Sequence, residues 1–172
     1  LLLIGHMLPA GNAQANTVVE CATESSAISL LGEGSMLLAM WRGAKANAGL
    51  GLPIDIIAVP TAPGAVAAST TIVVANTGAT VQYSGEAMLY IEGTRVAVAV
   101  STSDTAASVA AKLIAAVNAV PTLSVTAAAG ASATEVKLTA KWGGPSGNLI
   151  DVRSTHYTDD LLPAGLTLTI PG

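Results

Sequence analysis

Residues 1–60 alternate between short apolar runs and segments in which apolar residues recur with helical spacing. The pattern predicts two strands and then two helices: Leu1–Ile4, Thr17–Cys21, Glu24–Leu31 and Met36 to about Ala46. Gly32 is suited to a left-handed end of the first helix, and Ser35 can cap the second. The nearly continuous apolar run Ile54–Val59 is typical of a strand covered on both faces. This alternation of strands and helices indicates an α/β segment.

Beyond Pro60 the chain changes to short segments that alternate in polarity or are rich in β-branched residues. Turn residues separate seven predicted strands: Thr70–Ala75, Ala87–Ile91, Arg95–Val100, Leu123–Ala127, Glu135–Trp142, Leu149–Arg153 and Leu166–Ile170. Glu92-Gly93 offers a two-residue hairpin turn that would pair the strands on either side of it. Seven short strands with such turns predict a sandwich or a small barrel.

One helix interrupts these strands. It is predicted at Thr105–Ala119, with Ser103 or Asp104 as its N-cap. Apolar residues recur at a spacing of four and share one face: Val109, Leu113 and Val117. A helix of this length is marginally stable alone, so its apolar face is expected to pack on the sheet.

Together these elements predict an α+β fold. Residues 1–60 are expected to form the N-terminal part of an α/β domain, followed by a linker at 61–69. Residues 70–172 are expected to form a β-rich sandwich or barrel that carries one helix at about 104–119. A chain of 172 residues is long enough for one medium domain or two small ones.

The composition is that of an unusually uncharged protein. Hydrophobic residues make up 51% of the chain and charged residues 10%, and the net charge is -4. Ordinary globular proteins contain about 25% charged residues, so the surface must consist largely of small neutral side chains. Such a surface gives little electrostatic repulsion between copies, which favours a component of an assembly.

The same composition argues against other classes of protein. Aromatic residues are 3% of the chain and Lys+Arg number 7, which disfavours nucleic-acid binding. No stretch reaches the about 18 apolar residues of a transmembrane helix, so no membrane insertion is expected. The N-terminal segment lacks the methionine and the basic region of a signal peptide. A chain that opens in a predicted strand without methionine is expected to be a fragment.

The segment KWGGPSGNLIDVR, residues 141–153, could be a phosphate-binding loop or a turn. A phosphate-binding loop ends in Gly-Lys-Ser/Thr and opens a helix, whereas here Lys141 precedes the glycines and a strand pattern follows them. Gly147-Asn148 tolerates positive φ, and Pro145 fixes its own φ. The sequence therefore predicts a connection between two strands.

The residues that could carry chemistry are few and scattered along the chain. Cys21 has no second cysteine with which to form a disulfide, and it is expected to be a small buried apolar residue. His6 and His156 lie in different predicted domains, so they indicate neither a zinc site nor a catalytic pair. Asp159-Asp160 is interpreted as a solvated turn, with a weak calcium site as the alternative.

The glycine-rich segment LGEGSML, residues 31–37, could bind an anion on the backbone amides that follow Ser35. It lacks the third glycine of a dinucleotide fingerprint, and Glu33 places a negative charge where the anion would lie. Helix capping explains the segment without a ligand. No catalytic, cofactor-binding or metal-binding residue is therefore predicted, and a hydrolase that uses Ser35 or Asp159 ranks last among the hypotheses.

The succession of several segments resembles the tail sheath protein of Mu-like bacteriophages and prophages. The segments are LLLIGHMLPAGNAQANT, LLGEGSMLLAMWRGAKAN, DIIAVP and GGPSGNLIDVRSTHYTDDLLPAGLTLTI. The resemblance covers nearly all 172 residues and corresponds to the N-terminal part of that family's longer chain. No single segment is a specific motif, so the resemblance depends on their order and spacing.

The resemblance implies a structural, self-assembling subunit of a contractile sheath and no enzyme. Copies would stack as hexameric rings around a tail tube protein, and shortening of the sheath would drive the tube through the bacterial envelope. The protein would be assembled in the host cytoplasm and located in the virion tail. The β-rich part would be an insertion displayed outward. Without the arms that link neighbouring subunits by strand addition, this stretch by itself can stay monomeric.

An alternative from another class of function is an outward-facing carbohydrate- or receptor-binding β-module of a phage particle. Aromatic side chains commonly supply the contact area of such sites, and this chain has few of them. The composition therefore disfavours the alternative.

Overall fold

Helices and β-sheets both occur in the chain, and the predicted α+β fold is confirmed. The computed structural model describes residues 1–47 and 53–171. It divides the chain into an α/β unit, Leu1–Ala68 with Lys141–Gly147, and a β-rich unit, Ser69–Ala140 with Asn148–Gly172.

The α/β unit is built from a three-stranded sheet and two helices. Its elements in chain order are β1 (Leu2–His6), β2 (Val18–Glu20), α1 (Glu24–Leu31), α2 (Met36–Asn47) and β3 (Asp55–Val59). The strand order is β1-β3-β2, with β1 parallel and β2 antiparallel to β3. Parallel strands need a crossover connection, which the two helices supply.

Both helices lie where the apolar spacing predicts them. Gly32 follows α1 with φ 82° and ψ 139°, so its φ is positive but the predicted left-handed helical conformation is wrong. Ser35 caps α2 as predicted, because its Oγ accepts a hydrogen bond from Leu38 N at 3.2 Å. Thr23 caps α1 in the same way, accepting from Ser26 N at 3.2 Å.

One face of this sheet packs against the helices. The buried cluster of the unit joins Leu37 of α2 to Ile56 and Ala58 of β3. Gly5 of β1 allows α2 to approach closely, since a Cβ atom there would lie 3.2 Å from Met40 Sδ and 3.4 Å from Leu37 Cβ. Close packing of α2 therefore depends on a residue without a side chain in β1.

The opposite face of the sheet, here named the open sheet face, is defined by Leu2, Ile4, Val18 and Ile57. Leu2, Ile4 and Val18 are 49%, 53% and 57% exposed. Ile57 pairs in register with Ile4 on one side and with Val18 on the other, so these three side chains form a row across the sheet. The sequence predicts that the strand at Ile54–Val59 is covered on both faces. Among the described residues only the helix-facing side of this strand is covered, so that expectation is wrong.

The β-rich unit is built from two sheets and a helix. Its elements are β4 (Ala67–Asn76), β5 (Gly85–Ile91), β6 (Thr94–Val100), α3 (Ala106–Asn118), β7 (Val125–Ala129), β8 (Glu135–Gly143), β9 (Val152–Arg153) and β10 (Leu166–Thr169). The strand orders are β10-β4-β8-β7 and β6-β5-β9. One buried apolar cluster contains residues of both sheets and of α3. Two sheets that share a core form the predicted sandwich.

The strand predictions of this unit hold except at one position. Pro145–Leu149 forms a 3-10 helix, so the predicted strand Leu149–Arg153 is reduced to Val152–Arg153. The hairpin between β5 and β6 is confirmed, because Ile91 pairs with Thr94 across the turn. Its turn residues, Glu92 and Gly93, have φ of 51° and 78°. Positive φ at both positions is the requirement of a type I′ turn.

Helix α3 begins at a cap that differs from the predicted one. Thr105 is the N-cap: its Oγ1 accepts from Ser108 N at 3.2 Å, and Ser108 Oγ accepts from Thr105 N at 3.0 Å. This reciprocal pair is a capping box. The prediction of Ser103 or Asp104 is therefore wrong, because the Asp104 carboxylate has other partners.

The Asp104 carboxylate ties the start of α3 to the residue that follows β6. Its Oδ2 accepts hydrogen bonds from Ser101 N at 2.8 Å and from Lys112 Nζ at 2.7 Å, and its Oδ1 accepts from Ser108 Oγ at 2.8 Å. These donors, Lys112 foremost, hold the pKa of the buried Asp104 well below its usual range. The carboxylate is therefore ionised at neutral pH in the folded protein.

Helix α3 closes the sandwich along one side. Its apolar stripe of Val109, Leu113 and Val117 is fully buried, as predicted. The helix packs against β6 and β7, which are edge strands of the two different sheets. At the end of the helix, Asn118 Nδ2 donates a hydrogen bond to Ala127 O of β7 at 2.8 Å, and Asn118 Oδ1 accepts one from Ala127 N at 2.9 Å. The single helix therefore covers an edge strand of each sheet, which would otherwise be exposed to solvent.

Substitution of Leu113 by Ala tests the role of the stripe. We expect the free energy of unfolding to fall by about 2 to 5 kcal/mol, because the change leaves a cavity in a fully buried core. Urea unfolding followed by circular dichroism measures the change. Exposed Ala115→Ser on the same helix is the control, and a loss below about 1 kcal/mol for Leu113→Ala would contradict the packing described.

Substitution of Asp104 by Asn tests the carboxylate network. A depressed pKa in the folded state stabilises the protein above the unfolded-state pKa of about 4, and this contribution is lost as the pH falls below it. We expect Asp104→Asn to cost about 1 to 3 kcal/mol at pH 7 and progressively less toward pH 2. Unfolding measured between pH 2 and 7 checks this. An unchanged difference across that range would contradict it, and exposed Asp159→Asn is the matched control.

Candidate functional site

The glycine-rich segment after β8 is a turn between strands. Gly143 ends β8 against the backbone of Ala65, whose carbonyl oxygen a Cβ at Gly143 would approach to 2.5 Å. Gly144 has φ 111° and donates from its N to Val66 O at 2.9 Å. The 3-10 helix Pro145–Leu149 follows, and not the α-helix that a phosphate-binding loop opens. The positive φ of this turn lies at Gly144, and Gly147-Asn148, which would tolerate it, does not adopt it.

Two side chains of this turn have defined roles within the α/β unit. Trp142 Nε1 donates a hydrogen bond to Ser146 Oγ at 3.0 Å, which ties the strand end to the 3-10 helix. Burial lowers the pKa of Lys141, and the charge of Glu33 opposes this effect. These contacts stabilise the turn without a ligand.

The glycine-rich entry to α2 is held by an ion-pair cluster. Arg42 of α2 contacts Glu33 through both terminal nitrogens, at 2.7 and 3.3 Å, and its Nε donates to Glu24 of α1 at 2.8 Å. Hydrogen bonding to Glu33 is the largest cause of the raised pKa of Arg42. Ser35 is fully buried and caps α2. The cluster therefore joins the two helices. Because the Glu33 carboxylate lies at this segment and pairs with Arg42, the segment is not suited to bind an anion.

Cys21 is fully buried, in agreement with the expectation of a small apolar residue. Burial raises the pKa of its thiol, which disfavours the reactive thiolate. Its backbone carbonyl accepts a hydrogen bond from Trp41 Nε1 at 3.0 Å, so the residue anchors α2 beside β2.

The two histidines lie in different environments. His6 is the last residue of β1, and its Nδ1 is buried without a hydrogen-bond partner in the described part of the chain. His156 lies in the loop before β10, where its ring contacts Tyr90 and Tyr157. Within residues 1–47 and 53–171 no group of three or more His, Cys, Asp and Glu is placed to hold a metal ion.

An aromatic cluster forms where this loop crosses β5. The ring centroid of Tyr90 lies 5.5 Å from that of His156 and 5.9 Å from that of Tyr157, and the two loop rings are 4.6 Å apart in an edge-on arrangement. Tyr90 is buried, whereas Tyr157 is 66% exposed. Such distances and angles are typical of favourable aromatic pairs.

Asp160 fixes the loop that carries these rings. Its Oδ2 accepts from the backbone N atoms of His156 and Tyr157 at 2.9 and 2.7 Å, and its Oδ1 accepts from the Tyr90 hydroxyl at 3.0 Å. The two backbone donors are the largest causes of the lowered pKa of Asp160. Burial, followed by the bond to Asp160, raises the pKa of Tyr90. The solvated-turn interpretation of Asp159-Asp160 holds for the exposed Asp159 and is wrong for Asp160, which is half-buried and accepts these three hydrogen bonds.

The described residues bring serine, lysine and aspartate together at Asp104, but the geometry is that of a cap. Lys112 donates to Asp104, and the Ser108 hydroxyl does so too. A serine nucleophile needs a neighbouring base that can take its proton. Here the lysine is held in its ion pair with Asp104 and the carboxylate pKa is depressed, so neither group is suited to that task.

Sequence reasoning missed the aromatic cluster and the Arg42 cluster. Tyr90 and Asp160 are 70 positions apart, and no local pattern connects residues at that separation. The signal in the sequence that could have pointed to the aromatic cluster was the small number of such residues, since the chain contains only three tyrosines and two histidines. In the part of the chain that the structure covers, the helices are too short or too polar to cross a membrane.

Comparison with known proteins gives one clear similarity. No protein-family model matches the chain. The chain is 33% identical over 173 residues to the Mu-like prophage FluMu tail sheath protein of Haemophilus influenzae. The match covers 99% of this chain and 34% of the relative, so the chain spans about a third of that protein's length. The resemblance to Mu-like tail sheath proteins seen in the sequence is thereby confirmed: the chain is similar, along nearly all of its length, to about a third of this relative.

Proposed function

We propose that this chain is part of a structural subunit of a contractile phage tail sheath. The observation that carries the proposal is the similarity to a tail sheath protein along 99% of the chain. In this role, copies of the full-length subunit stack as hexameric rings around the tail tube protein, and contraction drives the tube through the bacterial envelope. The subunit assembles in the host cytoplasm and is located in the virion tail.

The open sheet face supports a role in which this chain packs against further protein. Sheets with parallel strands are normally covered on both faces. Leu2, Ile4 and Val18 are about half exposed, and a large apolar side chain contributes roughly 1.5 to 3 kcal/mol when it becomes fully buried. We therefore propose that parts of the full-length sheath subunit outside the homologous third cover this face.

The proposed role is mechanical, and we infer that the chain is not an enzyme. Support comes from the name of the relative and from the polar clusters, each of which has a structural task. The Asp104 network holds the start of α3, and the Arg42 cluster joins α1 to α2. Neither cofactor nor metal is part of the proposal.

We also propose that the β-rich part is an insertion that folds by itself. The proposed bounds are a linker at 61–69 and a domain at 70–172 after the partial α/β domain at 1–60. The support is a core within the β-rich unit to which both sheets and α3 contribute. An apolar core of its own is what an independently folding domain requires.

Expression of residues 62–172 alone tests the independent insertion. We expect one cooperative unfolding transition and resistance to limited proteolysis, because the sandwich core is contained in this stretch. Circular dichroism during heating and the time course of digestion measure both properties. Rapid digestion throughout the fragment would contradict the proposal.

The assembly proposal is tested with a full-length subunit that contains this chain. Negative-stain electron microscopy is expected to show rings or tubes, and a strictly monomeric full-length subunit would refute the sheath role. Ile4→Asp in the open sheet face is expected to abolish the tubes, because burial of an unpaired carboxylate is costly. It should change the stability of the 172-residue chain little, since Ile4 is half exposed there. Val66→Asp, at an 84% exposed position of the same unit, is the matched control.

A further inference from the structure

Three aromatic side chains of this chain meet at one place. Two of the three tyrosines and one of the two histidines meet where the loop before β10 crosses β5. We name Tyr90, His156 and Tyr157 the aromatic platform. Tyr157 is 66% exposed, although its ring is held edge-on against His156. Burial of a core cannot explain a ring that is left mostly in solvent.

Hydrogen bonds within the chain preorganise the platform. The Asp160 carboxylate accepts hydrogen bonds from the backbone of His156 and Tyr157 and from the Tyr90 hydroxyl. Two of these bonds hold the backbone of the loop itself and the third ties the loop to β5, so the exposed ring does not have to be ordered when a ligand arrives. Preorganisation of this kind lowers the entropic cost of binding.

Polar groups surround the platform on the same face of the sheet. In the strand register Tyr90 lies between Arg95 of β6 and Arg153 of β9. Arg95 forms an ion pair with Glu86 at 2.6 Å, and Arg153 forms one with Asp151 at 2.9 Å. All four charged side chains are about half exposed, so these pairs contribute little to stability and can exchange partners at small cost.

We propose that the aromatic platform binds carbohydrate. A pyranose ring presents an apolar C–H face that stacks on an exposed aromatic ring, and Tyr157 offers such a ring. The hydroxyl groups of the sugar are donors and acceptors, which the flanking guanidinium and carboxylate groups can bond. A single exposed ring with polar neighbours fits a small polar ligand better than a protein partner, which requires an interface of about 1,000 Å² or more.

The inference goes beyond the sheath proposal, because a sheath subunit needs no ligand. It also answers the objection that the chain has too few aromatic residues for carbohydrate binding. A stacking site needs only one or two rings at the right place, and the fold supports the exposed rings of His156 and Tyr157 on the buried Tyr90.

A glycan array probed with the labelled 172-residue chain tests the proposal. We expect saturable binding to a defined set of glycans, and Tyr157→Ala should weaken it about tenfold or more because the stacking surface is removed. Tyr83→Ala is the matched control, since Tyr83 is 62% exposed and lies outside the platform. Tyr157→Trp should retain binding, because it restores an aromatic face.

A second variant separates the preorganised loop from the ring itself. Asp160→Asn removes the charge that holds the loop and should weaken binding while Tyr157 is still present. Circular dichroism of every variant verifies that the fold is intact. The proposal is overturned by no saturable binding to any arrayed glycan, or by equal binding of the wild type and Tyr157→Ala. Neither result affects the sheath proposal, which is tested by assembly of the full-length subunit.

Discussion

Packing of α3 against both sheets is the contact on which the β-rich unit depends. The stripe of Val109, Leu113 and Val117 is fully buried, and β6 and β7, which the helix contacts, are edges of different sheets. Without the helix, two edge strands and the side of the core would face solvent. The surface elsewhere offers little protection, since only 10% of the residues are charged. The capping box and the Asp104 network are therefore stabilising elements that hold the position of this one helix.

The α/β unit also buries apolar side chains between its helices and its sheet, but on one face of the sheet only. Gly5 lets α2 approach the sheet, and the helix side of β3 is buried. On the other side of the sheet lies the row of Ile4, Ile57 and Val18. In sheets with parallel strands such a face is usually covered by further protein. In the proposed full-length subunit, the covering layer would come from the part of the protein outside this chain, since the chain matches about a third of its relative's length.

Features determined by residues close together in the sequence could be predicted, and features that depend on distant residues could not. Period and turn residues located the helices, most strands and the Glu92-Gly93 hairpin, because each is determined by neighbouring residues. The predicted cap of α3, Ser103 or Asp104, was wrong by one or two positions, since Ser103, Asp104 and Thr105 can all accept a backbone hydrogen bond. The Asp104 carboxylate bonds Ser101, Ser108 and Lys112 instead, which the local pattern does not show. The aromatic platform could not be predicted, because its members come from β5 and from a loop about 70 residues later.

Exposed apolar surface is distributed differently in the two units, and the difference bears on function. In the α/β unit it forms a continuous row on a regular sheet, which suits a broad contact with a complementary protein layer. In the β-rich unit the exposed Tyr157 ring packs against Tyr90, which pairs across the strands with Arg95 and Arg153. A protein layer gains affinity from area, whereas a small polar ligand gains it from a few fixed contacts. One chain can therefore combine a mechanical contact and a ligand platform, because each requires a different kind of surface.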